Sequence, residues 1–330
     1  MSSTRFRSAP SRALLAGGVV LTVAAAMVPA SRASAASAPV TKVASHIHVL
    51  PTFERRNDCV LPIVVSVTCA GVGTPMTGGA GPIQTSPAVY IVQWGWHGSD
   101  PNGLGAYQQS FFNGIGGTSW NASQTQYCAN PAAPLGLDCT GATSFVGNPS
   151  GVLKGVWVDE TNAVPANPDD AAIQAEAARA AVHFGNTTQA SNGSTQYVID
   201  TPHGNSTTGF ATSWCSYHGY AATSSGNISY TDFPYIPDAG GSCGQNFVNS
   251  GSAGTLDGVS IVGGHEFAES ETDPNPPNGW TDSTFAETGD KCAWIQAGPG
   301  AIANITISTG KFAVQSLWSN KANLGAGGCV

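Results

Sequence analysis

Charged side chains are scarce in this 330-residue chain, since Asp, Glu, Lys and Arg together make up only 10% of it. Positive charge is the rarer kind, with 12 Lys and Arg against 20 Asp and Glu. A chain with a net charge of −8 has no bulk positive field with which to hold nucleic acid or an anionic membrane surface. Its acidity favours solubility and the attraction of cations.

Paired cysteine motifs and long apolar runs are also scarce. The eight cysteines include no Cys-x-x-Cys pair, so a zinc cluster held by thiolates is not expected. Only one run, residues 13–30, is long and apolar, and no other stretch could span a bilayer. The sequence also has no internal repeat, which excludes a solenoid or propeller.

The apolar run at 13–30 is typical of a secretory signal peptide. Arg5, Arg7 and Arg12 precede it, and Ala33-Ser34-Ala35 follows as a cleavage site of the A-x-A kind. We expect residues 1–35 to be removed, so that the mature protein is extracellular and has no membrane span. It would keep 8 Lys and Arg against 20 acids, a net charge of −12.

An even number of cysteines in an exported chain predicts disulfide bonds. Pairing between sequence neighbours is our prediction: Cys59 with Cys69, Cys128 with Cys139, Cys215 with Cys243, and Cys292 with Cys329. The last bond would tie the C-terminus to the end of an acid-rich segment, residues 256–292.

Composition divides the mature chain into two parts. Residues 36–85 are rich in Ala, Pro, Gly, Val and Thr, which predicts a low-complexity extension or propeptide with one short hairpin closed by a disulfide. His46 and His48 alternate there with apolar residues, as on one face of a strand, and a metal-binding role is the alternative. Residues 86–330 have the length and continuous pattern of a single globular domain. The oligomeric state is not indicated.

Hydrophobic periodicity predicts a domain of the α+β class. Continuous β-branched and aromatic runs predict strands, and apolar residues at helical spacing predict helices. The predicted strands are 88–94, 123–128, 152–158 and 196–200, the helices are 104–115 and 171–184, and 302–308 with 312–318 form a C-terminal hairpin. Residues 201–255, full of Gly, Ser, Asn and Pro, predict a long loop that serves as a lid or binding loop, or is disordered.

Chemistry is concentrated between Leu256 and Cys292, where eight of the 20 acids lie. The segment His-Glu-Phe-Ala-Glu, residues 265–269, follows an apolar run that Asp257 could cap as a helix, and Asp273-Pro274 would end that helix. His265 and Glu269 then lie one turn apart on the same face. The HExxH helix of metallopeptidases presents its two zinc ligands at this spacing. Here Glu replaces the second His, and Glu is also a zinc ligand.

Further acids follow at a useful distance. Glu287 lies 22 residues after His265 and Asp290 lies 25 after it, and either would complete a three-ligand site for Zn²⁺. Glu266 would be the general base that takes the proton of a metal-bound water and passes it to the leaving amine. Because two carboxylates would bind the metal, Ca²⁺ is the alternative ion.

Other histidines are weaker candidates. His218, in a Tyr-His-Gly segment, could be a metal ligand or an oxyanion-stabilising donor, or its ring could simply bond the backbone of a disulfide-tied loop. His97 follows Trp94-Gly95-Trp96, whose rings belong either to the core or to a sugar-stacking wall. His183 lies on an Ala-rich helix, where we expect a structural role.

Several short motifs together resemble a known family. HEFAESETDP, GWTD, ETGDKCAW and FAVQSLWSN, with CSYHGY and VYIVQWGWHG upstream, are similar to secreted actinobacterial proteins distantly related to the plant phosphate-induced (Exordium-like) family. The resemblance covers about residues 86–330. It implies an extracellular or cell-wall-associated protein of zincin-like appearance, and no particular substrate.

Two functions are compatible with these patterns. The first is a secreted zinc-dependent metallopeptidase-like protein, with Glu266 as base and with His265, Glu269 and either Glu287 or Asp290 as ligands. Its fold would be a zincin-like single domain with a mixed sheet, a backing helix, an HExxE helix and a C-terminal hairpin. The alternative is a non-catalytic Exordium-like protein that binds a glycan, the cell wall or a protein.

Overall fold

The computed structural model describes residues 46–56, 74–129, 139–205 and 207–330, and the backbone of the short strands Cys59–Val60 and Ser66–Val67. The predicted signal peptide, 1–35, and the predicted bond between Cys59 and Cys69 lie outside the described residues. In the part of the chain that is described, no helix is both long enough and apolar enough to cross a membrane.

A six-stranded mixed sheet forms the centre of the fold. Its strands in chain order are β1 (Ile47–Pro51), β2 (Ala88–Trp94), β3 (Leu153–Asp159), β4 (Thr195–Asp200), β5 (Trp214–Thr223) and β6 (Gly226–Phe233). Their order in the sheet is β1-β5-β6-β4-β2-β3. The β6, β4, β2 and β3 strands run parallel, whereas β5 pairs antiparallel with both β1 and β6. The predicted mixed sheet is therefore confirmed.

Three helices accompany the sheet: α1 (Leu104–Ile115), α2 (Asp170–His183) and α3 (Asp257–Thr272). Tyr230 in β6 donates its hydroxyl proton to Asp170 of α2. The next residue, Thr231, accepts from Gln196, which also donates to the backbone of Glu266 in α3. Because successive strand residues point to opposite faces, α2 and α3 cover opposite faces of the sheet.

Helix α3 is buried along its whole length, which fits a helix that is not amphipathic. It lies between the sheet and a C-terminal hairpin of β7 (Ala303–Ile307) and β8 (Gly310–Val314). At Gly264 an added Cβ would lie 3.3 Å from the ring of Trp120, so the small residue allows close packing there. The helix ends at Asp273 before Pro274, as predicted.

Asp257 does not cap α3. Its carboxylate instead accepts hydrogen bonds from the backbone N–H groups of Val248 and Asn249, in the loop before the helix. It therefore fixes the entry of the chain into the helix.

Short elements and disulfides complete the domain. Two-residue strands pair Thr77–Gly78 with Trp280–Thr281 and Trp318–Ser319 with Gly328–Cys329, and short helices occur at Ser119–Ala122, Gln189–Asn192 and Ala322–Gly325. Three of the predicted disulfides are present, Cys128–Cys139, Cys215–Cys243 and Cys292–Cys329.

Two predicted elements are wrong. Residues 123–128 were predicted as a strand, but Ser123–Gln126 is a 3-10 turn, because the run is polar and follows directly on the helix Ser119–Ala122. Residues 201–255 were predicted as a long loop, yet they contain the β5–β6 hairpin. The strands contain aromatic and β-branched residues, but these lie in a segment rich in Gly, Ser and Asn, and buried cross-strand pairing stabilises them.

The sheet also includes part of the predicted 36–85 extension. Strand β1 forms an edge of the sheet and pairs with β5, which places His48 directly opposite His218. This pairing brings the two histidine side chains next to each other.

Candidate metal centre

Helix α3 supplies the first part of a buried polar cluster. His265, Glu266 and Glu269 are each at most 1% exposed. The Nε2 atom of His265 lies 3.1 Å from Oε2 of Glu269, as the one-turn spacing predicts. On the other side of the ring, Nδ1 lies 3.3 Å from Oε1 of Gln315, whose amide donates to the backbone oxygen of Gly289. Gln315 thus acts as the acceptor for the Nδ1 proton, so that Nε2 is the nitrogen that can bind a cation once it is deprotonated.

The loop after α3 supplies the second part. Oε1 of Glu269 accepts hydrogen bonds from the backbone N–H groups of Gly289, at 3.2 Å, and Asp290, at 3.0 Å. A Cβ at Gly289 would lie 2.6 Å from Nδ1 of His265, so the loop approaches the helix this closely only because residue 289 is glycine. The Cys292–Cys329 disulfide holds the loop just beyond Asp290.

Strands β1 and β5 supply two further imidazoles. His48 and His218 are partners across the two strands, and their ring centroids are 5.8 Å apart. His218 also pairs in register with Thr231, the β6 residue that faces α3, so both rings point toward the helix. His218 is fully buried, whereas the side chain of His48 is 18% exposed.

The three imidazoles face the carboxylates at short range. Nε2 of His48 contacts Oδ2 of Asp290, and its Nδ1 lies 3.4 Å from Oε1 of Glu287. Nδ1 of His218 lies 3.2 Å from Oε2 of Glu266 and 3.5 Å from Oε2 of Glu269. Nε2 of His218 lies 3.5 Å from Glu287. The cluster therefore contains three histidines and at least four acids.

Many polar atoms of the cluster are buried and lack a hydrogen-bond partner among the residues that the structure describes. They are Nε2 of His218, Nε2 of His265, Oε1 of Glu266, Oε2 of Glu269, Oδ2 of Asp273 and both carboxylate oxygens of Glu287. A buried polar atom without a partner carries a large desolvation cost, so this concentration requires a compensating group.

A cation fits that requirement. Imidazole nitrogens and carboxylate oxygens are the usual zinc ligands, and bonds of about 2.0–2.2 Å in a tetrahedron place ligand atoms roughly 3.3–3.6 Å apart. Apart from the direct hydrogen bond between His48 and Asp290, the contacts between nitrogen and oxygen in the cluster, 3.1–3.8 Å, span that spacing. Among the residues that the structure describes, two groups of three have ligand atoms within 4.8 Å of one another: His48 with Glu269 and Asp290, and His218 with Glu266 and Glu269.

The acids of the cluster have strongly shifted pKa values. Burial raises the pKa of Glu266 to about 7, although the positive charge of His265 and His48 opposes the shift. Burial raises the pKa of Glu287 well above its ordinary value, and the neighbouring acids, Asp273 first, add to the rise. The pKa of Asp290 is lowered, because His48 outweighs the effect of burial on this carboxyl.

The imidazoles shift in opposite directions. Burial disfavours a charged His48, but Asp290 outweighs it and raises the pKa to about 10. In the same way Glu269 outweighs burial at His265 and raises its pKa to about 9. At His218 burial prevails and lowers the pKa to about 4, so that this ring is neutral at pH 7. A neutral imidazole is the form that binds a metal.

The predicted ligands come together with one difference of arrangement. Asp290 is the acid of the loop that faces His265, with Oδ1 3.8 Å from Nε2, whereas Glu287 faces His48 and His218. Glu266, predicted as general base, lies beside His218, and its assignment as base stays a prediction. The patterns predict a strand face for His48 and a loop for His218, with a metal-binding role as an alternative for each; both lie on strands, and both belong to the cluster.

The remaining histidines lie away from the cluster. The His97 side chain is 77% exposed and pairs with Glu160. His183 stacks on Trp157 at a centroid distance of 4.2 Å, as a structural residue of α2. Trp94 and Trp96 are 2% and 4% exposed, and their indole N–H groups bond backbone oxygens, so these rings belong to the core.

Comparisons with known proteins give no relative for this chain. No model of a protein family, no curated protein and no solved structure matches it. The resemblance to Exordium-like proteins therefore stays a prediction, and the function has to be inferred from the cluster itself.

Proposed function

We propose that the cluster is the metal centre of a secreted, zinc-dependent hydrolase that cleaves peptide bonds. The observation that carries the proposal is the set of buried, unpartnered nitrogen and oxygen atoms that face one another around Glu269. The three disulfides and the lack of a spanning helix among the described residues are compatible with secretion.

The ligand types favour zinc over calcium. Calcium prefers six to eight oxygen ligands, whereas the cluster directs imidazole nitrogens of His48, His218 and His265 at its carboxylates. A mixture of nitrogen and carboxylate oxygen is typical of zinc. When bound, the ion would supply the Lewis acidity that lowers the pKa of a water molecule and polarises a carbonyl group.

The protein's own residues would fix the position of the ion and transfer the proton. Glu269 is fixed by two backbone N–H groups, and His265 by Gln315, so neither has to reorganise when the ion binds. The buried carboxyl of Glu266, with its pKa near 7, can accept and release a proton near neutral pH. Solvent reaches the cluster at His48 and Asp290, where a peptide would approach.

A specific observation favours a second candidate, a non-catalytic extracellular protein that the metal stabilises. Five of the cluster residues, His218, His265, Glu269, Asp273 and Glu287, are fully buried. Closed sites are typical of structural zinc, and catalytic zinc keeps an open position. The partly exposed side chain of His48 is our reason for placing the hydrolase first.

The first test is the metal content of the purified, disulfide-intact protein, followed by hydrolysis of a broad peptide library with and without a chelator. The hydrolase predicts bound zinc, together with cleavage that the chelator abolishes and zinc restores. His203→Ala is the matched control, because it removes a half-exposed imidazole that pairs with Asp238 outside the cluster. Protein without bound metal would overturn the proposal, and zinc without cleavage would favour the second candidate.

A further inference from the structure

We infer that the centre holds two divalent cations and that the Glu269 carboxylate is shared between them. One ion lies among His48, His265, Glu269 and Asp290, and the other among His218, Glu266 and Glu269. This inference rests on the proposed metal centre and specifies its composition.

The first reason is that the donors form two groups rather than one. His48, Glu269 and Asp290 offer ligand atoms within 4.8 Å of one another, and so do His218, Glu266 and Glu269. Glu269 is the one residue that belongs to both groups. A single tetrahedral ion has only four ligand positions, so it would leave the remaining buried ligand atoms of the cluster without partners.

The two imidazoles of the sheet also point to separate ion positions. Glu287 contacts one nitrogen of each ring, Nδ1 of His48 at 3.4 Å and Nε2 of His218 at 3.5 Å. The opposite nitrogen of His48 is hydrogen-bonded to Asp290, and that of His218 is hydrogen-bonded to Glu266 and lies 3.5 Å from Glu269, so an ion at either nitrogen would replace a direct hydrogen bond. With an ion at each of these nitrogens, Glu287 would accept the remaining N–H of both rings, as an outer carboxylate does beside metal-bound histidines.

Glu269 is built to be shared. Its Oε1 atom is occupied by the backbone N–H groups of Gly289 and Asp290. Its Oε2 atom has no hydrogen-bond partner and lies between two imidazoles, 3.1 Å from Nε2 of His265 and 3.5 Å from Nδ1 of His218. These imidazoles come from different elements, α3 and β5, so one oxygen can serve ions held by both.

Charge supports the same count. The buried acids of the cluster are Glu266, Glu269, Asp273, Glu287 and Asp290. Lys291, the nearest cation in sequence, is committed to Asp282 at 2.7 Å. The three acids assigned as ligands, Glu266, Glu269 and Asp290, each carry a negative charge when they bind metal, so one divalent ion would leave one of these charges uncompensated, whereas two would compensate all three.

A second ion changes the role of Glu266. In a two-ion centre its carboxylate is a ligand of the second ion, rather than the free base that the HExxE pattern predicts. Two closely spaced metal ions are common in the active sites of hydrolases, where they stabilise the attacking and leaving groups. The class of substrate, a peptide bond, is unchanged.

The test measures zinc stoichiometry on the full chain after equilibrium dialysis, for the wild type, His218→Ala and Glu266→Gln. We expect two equivalents in the wild type and one in each variant. Glu266→Gln is nearly isosteric, so it remains informative if His218→Ala fails to fold, and His203→Ala should keep two equivalents. Cobalt substitution gives an independent signal, because two ions that share a carboxylate should show magnetic coupling by electron paramagnetic resonance.

The outcomes separate this inference from the proposed function. One equivalent in the wild type, unchanged in Glu266→Gln, would overturn the second ion while leaving a one-zinc hydrolase with Glu266 as its base. Two equivalents that persist in both variants would also overturn it, since the second ion would then lie elsewhere. The absence of bound zinc in the wild type would remove the metal centre altogether.

Discussion

Asp282 and Glu287 lie five residues apart on the loop after α3, and their surroundings are opposite. Oδ1 of Asp282 accepts three hydrogen bonds from Thr284 and Ala286, and its Oδ2 pairs with Lys291 at 2.7 Å. Both oxygens of Glu287 are buried without a hydrogen-bond partner. Burial would raise the pKa of Asp282, but Lys291 and Thr284 hold it below its ordinary value, whereas the pKa of Glu287 is raised well above it.

This difference separates an acid that shapes a turn from an acid that belongs to a binding site. The surroundings of Asp282 are complete within the chain, so it needs nothing from outside. Those of Glu287 are complete only when protons or cations are added. Variants of the two kinds of acid should therefore respond differently to metal.

The largest effect is expected at the shared carboxylate. Glu269→Gln should lower zinc affinity by more than about 100-fold, since the loss of an outer partner alone reduces affinity by about 10–100-fold. Isothermal titration with zinc measures the affinity, and Asp282→Asn is the control that should bind like the wild type. Equal affinity in Glu269→Gln and the wild type would place the ion outside the cluster.

Glu287→Gln should have a smaller effect. As the outer acceptor for His48 and His218, it should reduce zinc affinity by about 10–100-fold without removing either ion. The same titration distinguishes the alternatives, because complete loss of one zinc equivalent would make Glu287 a direct ligand. An affinity like that of Asp282→Asn would show that the contacts of Glu287 with the rings are incidental.

Gly289→Ala tests the approach of the loop to α3. Its added methyl would lie 2.6 Å from His265 and 2.9 Å from Glu269, so we expect a loss of about 1–3 kcal/mol in the free energy of unfolding. Gly241→Ala is the matched control, because a Cβ there meets no atom within 4 Å. Denaturant unfolding of both variants measures the effect, and equal stability of the two would contradict the close approach.

The smallest effect concerns pH. The folded-state pKa of His265, about 9, lies above the ordinary 6.5, as does that of His48. Their stabilisation is present below pH 6.5 and is lost as the pH rises through the folded values. The raised pKa of Glu266 acts in the same direction above pH 4.5, whereas that of His218, lowered to about 4, opposes it between pH 4 and 6.5.

The metal-free protein should therefore lose stability between pH 6.5 and 8. For a domain of this size, each loss of roughly 1 kcal/mol in the free energy of unfolding lowers the Tm by about 2–4 °C. Zinc-loaded protein should show a smaller fall, because the ion favours deprotonated ligands. Thermal unfolding followed by circular dichroism at several pH values measures the Tm of the metal-free and the zinc-loaded protein. An identical pH dependence of the two would show that zinc does not bind to the titrating groups of the cluster.

Local patterns predicted the elements that carry strong periodicity. Helices α1 and α2, strands β2 and β4, and the HEFAE helix follow directly from apolar spacing, capping and proline. Strand β5 was not predicted, because its aromatic residues Trp214, Tyr217 and Tyr220 are spaced by three rather than two and the Ser, His and Gly residues between them are poor indicators of a strand. Pairing with β1 and β6 stabilises it as a strand.

The site was predictable where its residues share an element. Spacing along one helix brought His265 and Glu269 together, and Asp290 was placed near them by distance along the chain. His48 and His218 are 170 positions apart, and their proximity depends on the register of an edge strand, which no local pattern contains. The alternation around His46 and His48 did indicate a strand face, but only the pairing of β1 with β5 in the sheet places His48 beside His218.

The most direct test of the metal centre is X-ray diffraction at the zinc absorption edge, from crystals of the full mature chain grown with zinc. We predict anomalous peaks inside the cluster, within about 2.0–2.2 Å of Nε2 of His265 and Oε2 of Glu269. An empty cluster whose imidazoles and carboxylates are bonded directly to one another, with zinc only at surface residues such as His203, would contradict the proposed metal centre.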